Sequence, residues 1–159
     1  MSSQFRSSGS ERRLTAVLND EMFCLEQFRG WIMVRKVVQI DSSLASKIGY
    51  SRAIRVANQA YVSGTTAFGD GGVTGKGDAG IQARVCIEKI GQALVECGLR
   101  LEDVVRTRVT LARIEDWEAV AAAHLEFFGE IRPVSAFYAG VQFLHPDILV
   151  EIEADAISE

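Results

Sequence analysis

Five stretches of this chain alternate apolar and polar positions, and three others repeat apolar residues every three or four places, so strands and helices are predicted in a definite order. Arg52 to Ala57 and Ala60 to Ala67 alternate on either side of Asn58-Gln59, a spacing that predicts a tight hairpin. From Ala79 to Cys97 the residues Ala83, Cys86, Ile87, Ile90, Ala93, Leu94 and Cys97 form one stripe, with Asp78 as N-cap and Gly98 just past the end. Val104 to Arg113 predicts a strand with Val105, Thr107, Val109 and Leu111 on one side and Arg106, Arg108 and Thr110 on the other. A second helix, about Glu115 to Phe128, turns Trp117, Val120, Ala121, His124 and Phe128 inward and stops at Gly129. Two strands close the chain, Val134 to Phe143 and Ile148 to Ile157, joined by His145-Pro146-Asp147. The resulting order, β-β-α-β-α-β-β, predicts an α+β fold with two helices packed on one face of a mixed sheet.

At 159 residues the chain has room for one domain, predicted over residues 34–159, preceded by an extension over residues 1–33. The first 13 residues are rich in Ser and Arg and can bury little. Leu14 to Phe28 carries a short amphipathic pattern, and Met33 offers an alternative start that N-terminal sequencing would reveal.

Charge and cysteine content narrow the function classes. A net charge of -4 without a clustered basic face argues against nucleic acid as a partner. No apolar run approaches the roughly 18 residues a bilayer span needs, so a cytoplasmic protein without a membrane partner is expected. Cys24, Cys86 and Cys97 show no CxxC pairing and predict reduced thiols, the last two inside a helix core. His124 and His145 lack second ligands at metal spacing, so no metal is expected. Gly75 to Gly80 fits G-x-G-x-x-G but does not follow directly on a strand, which predicts a plain loop.

Two features carry more chemistry. Glu151, Glu153 and Asp155 share one strand face, where like charges repel unless cations such as Arg106 and Arg108 meet them. Either this is an ion-paired surface or Glu151 is the polar group of a ligand cleft. Arg132 precedes Pro133 at a helix-to-strand junction, and residues three apart in an extended run point oppositely. It is therefore predicted to serve the preceding helix end rather than a site shared with Ser135.

The runs IGYSRAIRVANQAYVSGTTAF (from Ile48), EDVVRTRVTLARIEDWEAV, EFFGEIRP and LVEIEADAI, in this order and spacing, resemble the RidA (YjgF) family. The resemblance implies a chorismate-mutase-like fold, a homotrimer with small-molecule clefts between subunits, and hydrolysis of reactive enamines and imines to 2-keto acids and ammonia without any cofactor. Tyr50, Ser63, Gly64 and Glu151 match cleft positions of that family, with Glu151 positioning the attacking water and Tyr50 capping the cleft. The family's Pro-x-Arg motif reads Pro133-Val134-Ser135 here, and an asparagine of its second helix is replaced by Ala121. Phe137 either shapes the cleft for an aromatic ligand or packs an interface. Losing the arginine's grip on a carboxylate costs about 2 to 5 kcal/mol. The resemblance thus implies a ligand-binding protein with weakened deaminase activity on the usual 2-imino acids. The alternatives are hydrolysis of a different imine or enamine, and a non-catalytic sensor or translation-related trimer.

Overall fold

The computed structural model describes residues 35–40 and 42–159. The expectations for Leu14 to Phe28, for Cys24 and for a start at Met33 lie outside the described residues.

Among the described residues eight strands and three α-helices follow one another: β1 (Arg35–Val38), α1 (Ser43–Ile48), β2 (Ala53–Val56), β3 (Gln59–Thr66), β4 (Phe68–Gly69), β5 (Gly72–Val73), α2 (Ala79–Cys97), β6 (Val104–Leu111), α3 (Trp117–Phe128), β7 (Val134–Ala139) and β8 (Val150–Ile157). Six strands form one sheet in the order β1-β2-β3-β8-β6-β7, while β4 and β5 make a separate small hairpin. Among the described strands only β6 and β7 run parallel, so the sheet is mixed, as an α+β chain with one crossover helix requires. The crossover is α3, which takes the chain from β6 to the sheet's edge at β7.

Helix α2 forms because its apolar stripe meets the inner faces of β3 and β8. Ile87, Ile90 and Leu94 are fully buried there, and each contributes about 1.5–3 kcal/mol through its removal from water. Asp78 accepts from the Ile81 amide at 2.9 Å, and Gly98 at φ 77° sends its amide back to the Leu94 and Val95 carbonyls. Both ends match expectation. Cys86 and Cys97 are buried free thiols, and burial pushes the Cys86 thiol up to about 12.

Several boundaries differ from the pattern. The hairpin turns at Ala57-Asn58, one residue early, because Val56 pairs with Gln59; Ala57 takes φ 54°. A strand at Arg35–Val38 and the small hairpin inside the glycine-rich loop carry too few alternating positions to be read. β7 ends at Ala139, where Gly140 at φ 86° turns the chain away. In β6 an irregularity between Val104 and Arg106 inserts Val105 as an extra residue, so Val104 rather than Val105 enters the core. Val120 and Phe128 are buried as expected, joined by Ala123, with Ala121 and His124 half-buried, but Trp117, expected inside, is 49% exposed.

Gly129 follows the last residue of α3, as expected, but not as a left-handed cap. It keeps helical angles, and the left-handed residue is Arg132 at φ 53°. The Arg132 amide donates to the Phe128 carbonyl at 2.8 Å and its Nε to the Gly129 carbonyl at 3.1 Å. Arg132 therefore serves the end of α3, as its position in the sequence predicted.

Candidate functional site

The polar face of β8 opposes that of β6 residue by residue: Asp155 faces Arg106, Glu153 faces Arg108, and Glu151 faces Thr110. Arg108 reaches Glu153 at 3.1 Å and, diagonally, Asp155 at 3.3 Å, while Arg106 approaches Asp155 at 4.0 Å. Two cations thus meet two of the three carboxylates. Among the described residues Glu151 makes neither an ion pair nor a side-chain hydrogen bond. Burial, and secondarily the negative charge of Glu153, raise its carboxyl above the ordinary value.

Its position is set from β3. Between Val62 and Thr65 the ladder slips, so that Ser63 and Gly64 occupy the length that β8 spends on Glu153 alone. A Cβ on Gly64 would lie 2.6 Å from Glu151 Oε1 and 2.7 Å from its Cδ. The carboxyl occupies the space that glycine leaves empty. Ser63 is committed to the backbone, its amide and Oγ both donating to the Arg52 carbonyl at 3.0 and 3.1 Å. The Arg52 guanidinium is tied to Thr65 Oγ1 at 3.2 Å. Tyr50 follows the left-handed Gly49 in the turn into β2 and is half-buried.

Ser135 and Phe137 belong to a different group. β7 pairs Ser135 with Thr107 and Phe137 with Val109, residues that face the helices, so Glu151 and Ser135 look out from opposite faces of the sheet. Ser135 Oγ lies 2.7 Å from Thr107 Oγ1, which lies 2.9 Å from His124 Nε2 on α3; Ser135 Oγ also reaches the Pro133 carbonyl at 3.3 Å. The imidazole is flanked by the rings of Phe128 at 4.7 Å and Phe137 at 5.6 Å, and burial holds its pKa below the usual histidine value. Ala121 stands one turn earlier on the same helix, half-buried. The chain Ser135-Thr107-His124 was missed by sequence reading. Its one signal was a threonine on an otherwise apolar strand face opposite a histidine on an otherwise apolar helix face.

The residues expected to share a site therefore form two groups within one chain: Glu151, Gly64 and Ser63 on β8 and β3, and Ser135, Phe137 and Ala121 along β7 and α3. A concavity of about 440 Å³ on the sheet face turned away from α2 and α3, lined by Tyr61, Val105, Arg106, Val134, Asp155 and Ile157, contains neither group's central residue. The glycine-rich loop is pinned structurally. Gln82 Nε2 donates to the Gly75 and Asp147 carbonyls at 3.1 and 2.8 Å, and Lys76 pairs with Asp147 at 2.9 Å. Among the described residues no three His, Cys, Asp or Glu side chains come together as metal ligands, and no helix is long and apolar enough to cross a membrane.

Comparison with known proteins places these groups in context. The model of the family described as Endoribonuclease L-PSP matches residues 40–158. An uncharacterised protein of Streptomyces coelicolor is 37% identical over 119 residues, covering 75% of this chain and 89% of that one. The 2-iminobutanoate/2-iminopropanoate deaminase of Rattus norvegicus is 30% identical over 126 residues, 79% of this chain and 91% of the relative. The crystal structure of a YjgF/YER057c/UK114 family member from Mycobacterium tuberculosis, 39% identical, superposes with a TM-score of 0.71 over 79% of this chain and all of that one.

Proposed function

This chain belongs to the RidA (YjgF) family, and from that premise we propose that it binds a small imine-, enamine- or carbonyl-bearing metabolite in clefts between the copies of a homotrimer. Its activity on 2-iminopropanoate and 2-iminobutanoate is weak or absent.

The observation that carries this reading is the Glu151 carboxyl. It is half-buried, raised in pKa, seated over Gly64, and uncommitted to any other described side chain. A carboxyl in that condition can accept a proton from water adding to an imine carbon, or hold a ligand's N–H. The second half of the cleft is the Ser135 group. Glu151 and Ser135 lie two strands apart, on the order of 10 Å, and on opposite faces, so one small ligand touches both only where two copies meet. Tyr61, Val134 and Tyr138, 48%, 62% and 56% exposed on the sheet face turned away from α2 and α3, support such an assembly.

In this family's deaminases an arginine grips the substrate carboxylate; here Ser135 stands in that motif, and Arg132 is spent on the end of α3. A neutral hydroxyl in place of a bidentate guanidinium forfeits about 2 to 5 kcal/mol of carboxylate binding. The test is a coupled system that generates 2-iminopropanoate, with imine decay followed after addition of purified protein and its mass measured in solution. A trimer with little acceleration is expected. Acceleration equal to that of an arginine-bearing relative, or a monomer, would overturn the reading.

Phe137, 40% exposed beside Ser135, favours a second reading in which hydrolysis persists on an aromatic or less anionic imine. An RNA-directed role is opposed by the net charge of -4.

A further inference from the structure

The buried threonine and the histidine behind Ser135 have no part in the reading so far. Thr107 is fully buried in the helix-facing side of β6, yet its hydroxyl joins two polar groups: His124 Nε2 inside at 2.9 Å and Ser135 Oγ outside at 2.7 Å. Each hydroxyl has one hydrogen, so the chain must run in one of two directions. When Nε2 is bare, Thr107 donates inward to it and Ser135 donates inward to Thr107, leaving only lone pairs outside. When Nε2 carries hydrogen, as it does in the imidazolium and in one of the two neutral tautomers, Thr107 donates to Ser135, and the Ser135 hydrogen points outward. The Pro133 carbonyl at 3.3 Å is its acceptor at rest.

We propose that His124, acting through Thr107, sets the hydrogen-bonding direction of Ser135, so that protonation of the imidazole, which removes the bare-Nε2 tautomer, fixes Ser135 as a donor for a carboxylate or carbonyl oxygen of the ligand. The inference rests on the reading that Ser135 borders the ligand cleft. One proton enters at Nε2, two hydroxyls rotate, and no heavy atom moves. His124 and Thr107 are positioning residues here; Ser135 alone touches the ligand. The imidazolium behind the chain supplies, at one remove, the positive charge that an arginine would carry to the ligand directly.

Because this makes binding depend on pH, every group facing the imidazole matters. Thr107 faces it from β6 and Phe137 from β7, while Phe128 adjoins it on α3; none titrates. The charged pair between α2 and α3, Arg84 with Glu126 at 2.8 Å, is satisfied within itself. Burial alone lowers the pKa of His124. An anion accepting a hydrogen bond from Ser135 favours the imidazolium, so it raises that pKa and is bound more tightly as the pH falls.

The experiment uses the full chain, with pyruvate as the probe and His145→Gln to leave a single imidazole. Imidazole ¹⁵N shifts and pyruvate affinity are followed from pH 5 to pH 8. Binding about fivefold or more tighter at pH 5, together with an upward shift of the His124 pKa on adding pyruvate, is expected. Thr107→Val, nearly isosteric, should abolish both linkages while leaving the Glu151 carboxyl to titrate as before. His124→Gln should flatten the profile in the same way, which covers the case of a Thr107 variant that folds poorly. Without ligand, Ser135→Ala should still change the tautomer balance of His124. Binding that tightens equally in wild type and both variants, or imidazole shifts indifferent to pyruvate and to Ser135→Ala, would overturn the relay while leaving the cleft reading intact. No pyruvate binding at any pH would overturn both.

Discussion

Gly64→Ala is the most discriminating change available, because it adds one methyl group where the structure holds a carboxyl. The new Cβ would stand 2.6 Å from Glu151 Oε1 and 2.7 Å from Cδ, against an ordinary contact of about 3.5 Å, so the carboxyl must retreat by about 1 Å. The retreating atoms are the end of a flexible side chain, and the cost of an off-rotamer turn is about 0.5–1.5 kcal/mol. Against that, alanine restricts the unfolded chain and returns about 0.4–1 kcal/mol, since Gly64 has no left-handed φ to lose. The two nearly cancel, and the melting temperature should move by no more than about 4 °C. Function should respond differently. A group that must meet a ligand atom within hydrogen-bond reach loses on the order of a hundredfold when displaced by an ångström. Calorimetric titration with pyruvate and 2-oxobutanoate, a thermal melt, and the ¹³C-detected pKa of Glu151 decide it. Weak binding, a nearly unchanged melt and a carboxyl pKa falling toward the ordinary range are expected. Binding equal to wild type would show that the seat over Gly64 is irrelevant, and a melt lowered by more than about 10 °C would make it purely architectural.

Other changes test neighbouring steps. The unfolded chain releases the Glu151 proton near the ordinary glutamate value of 4.5 and the folded chain at a higher pH, so the folded state binds more protons between the two and stability falls as pH rises through that window. Glu151→Gln, which cannot ionise, should remove that fall; urea midpoints that stay parallel to wild type from pH 4 to pH 8 would refute the desolvated carboxyl. Thr110→Arg would place a third cation opposite the third carboxylate, and is expected to add about 0.2–1 kcal/mol of stability while lowering the Glu151 pKa and abolishing pyruvate binding. Unchanged binding would deny Glu151 a place in the cleft. Arg132→Gly relieves a left-handed φ of 53° but loses the bond to the Gly129 carbonyl, so stability should change by less than about 1 kcal/mol and pyruvate affinity not at all. A large affinity loss would restore Arg132 as an anion clamp.

The long periodic elements were legible because burial enforces period: α2 and β8 each present one unbroken apolar face, and both appear where the pattern put them. What the pattern could not carry was register. The extra residues at Ser63-Gly64 and at Val105 interrupt alternation by one place, which reads as noise in a sequence but decides which side chain meets which. Gly129 does follow the last helical residue, yet Arg132 rather than the glycine takes the left-handed position, held by two bonds to the carbonyls of Phe128 and Gly129. The carboxylate row and its arginines were visible. That Glu151 alone would be left over was not, since it depends on Arg108 reaching diagonally to Asp155.

That leftover carboxyl follows from simple arithmetic along two strands. β8 offers acids at three successive outward positions, and β6 answers with arginine, arginine and threonine. Had the third position been basic, the ladder would have closed into a surface ion-pair network of modest stability and no chemistry. Leaving it open keeps a half-buried carboxyl beside a like charge, with burial first and Glu153 second raising the pKa of Glu151 and nothing repaying the cost locally. A fold tolerates such a flaw where the strain is confined to one side chain that the bulge in β3 can house, and Gly64 is that housing. The same logic holds on the other face, where Thr107 and His124 put a polar chain into a layer that valine and phenylalanine would fill more cheaply. Both departures from the apolar pattern end at a polar atom with capacity left for a ligand, the Glu151 carboxyl on one face and the Ser135 hydroxyl on the other.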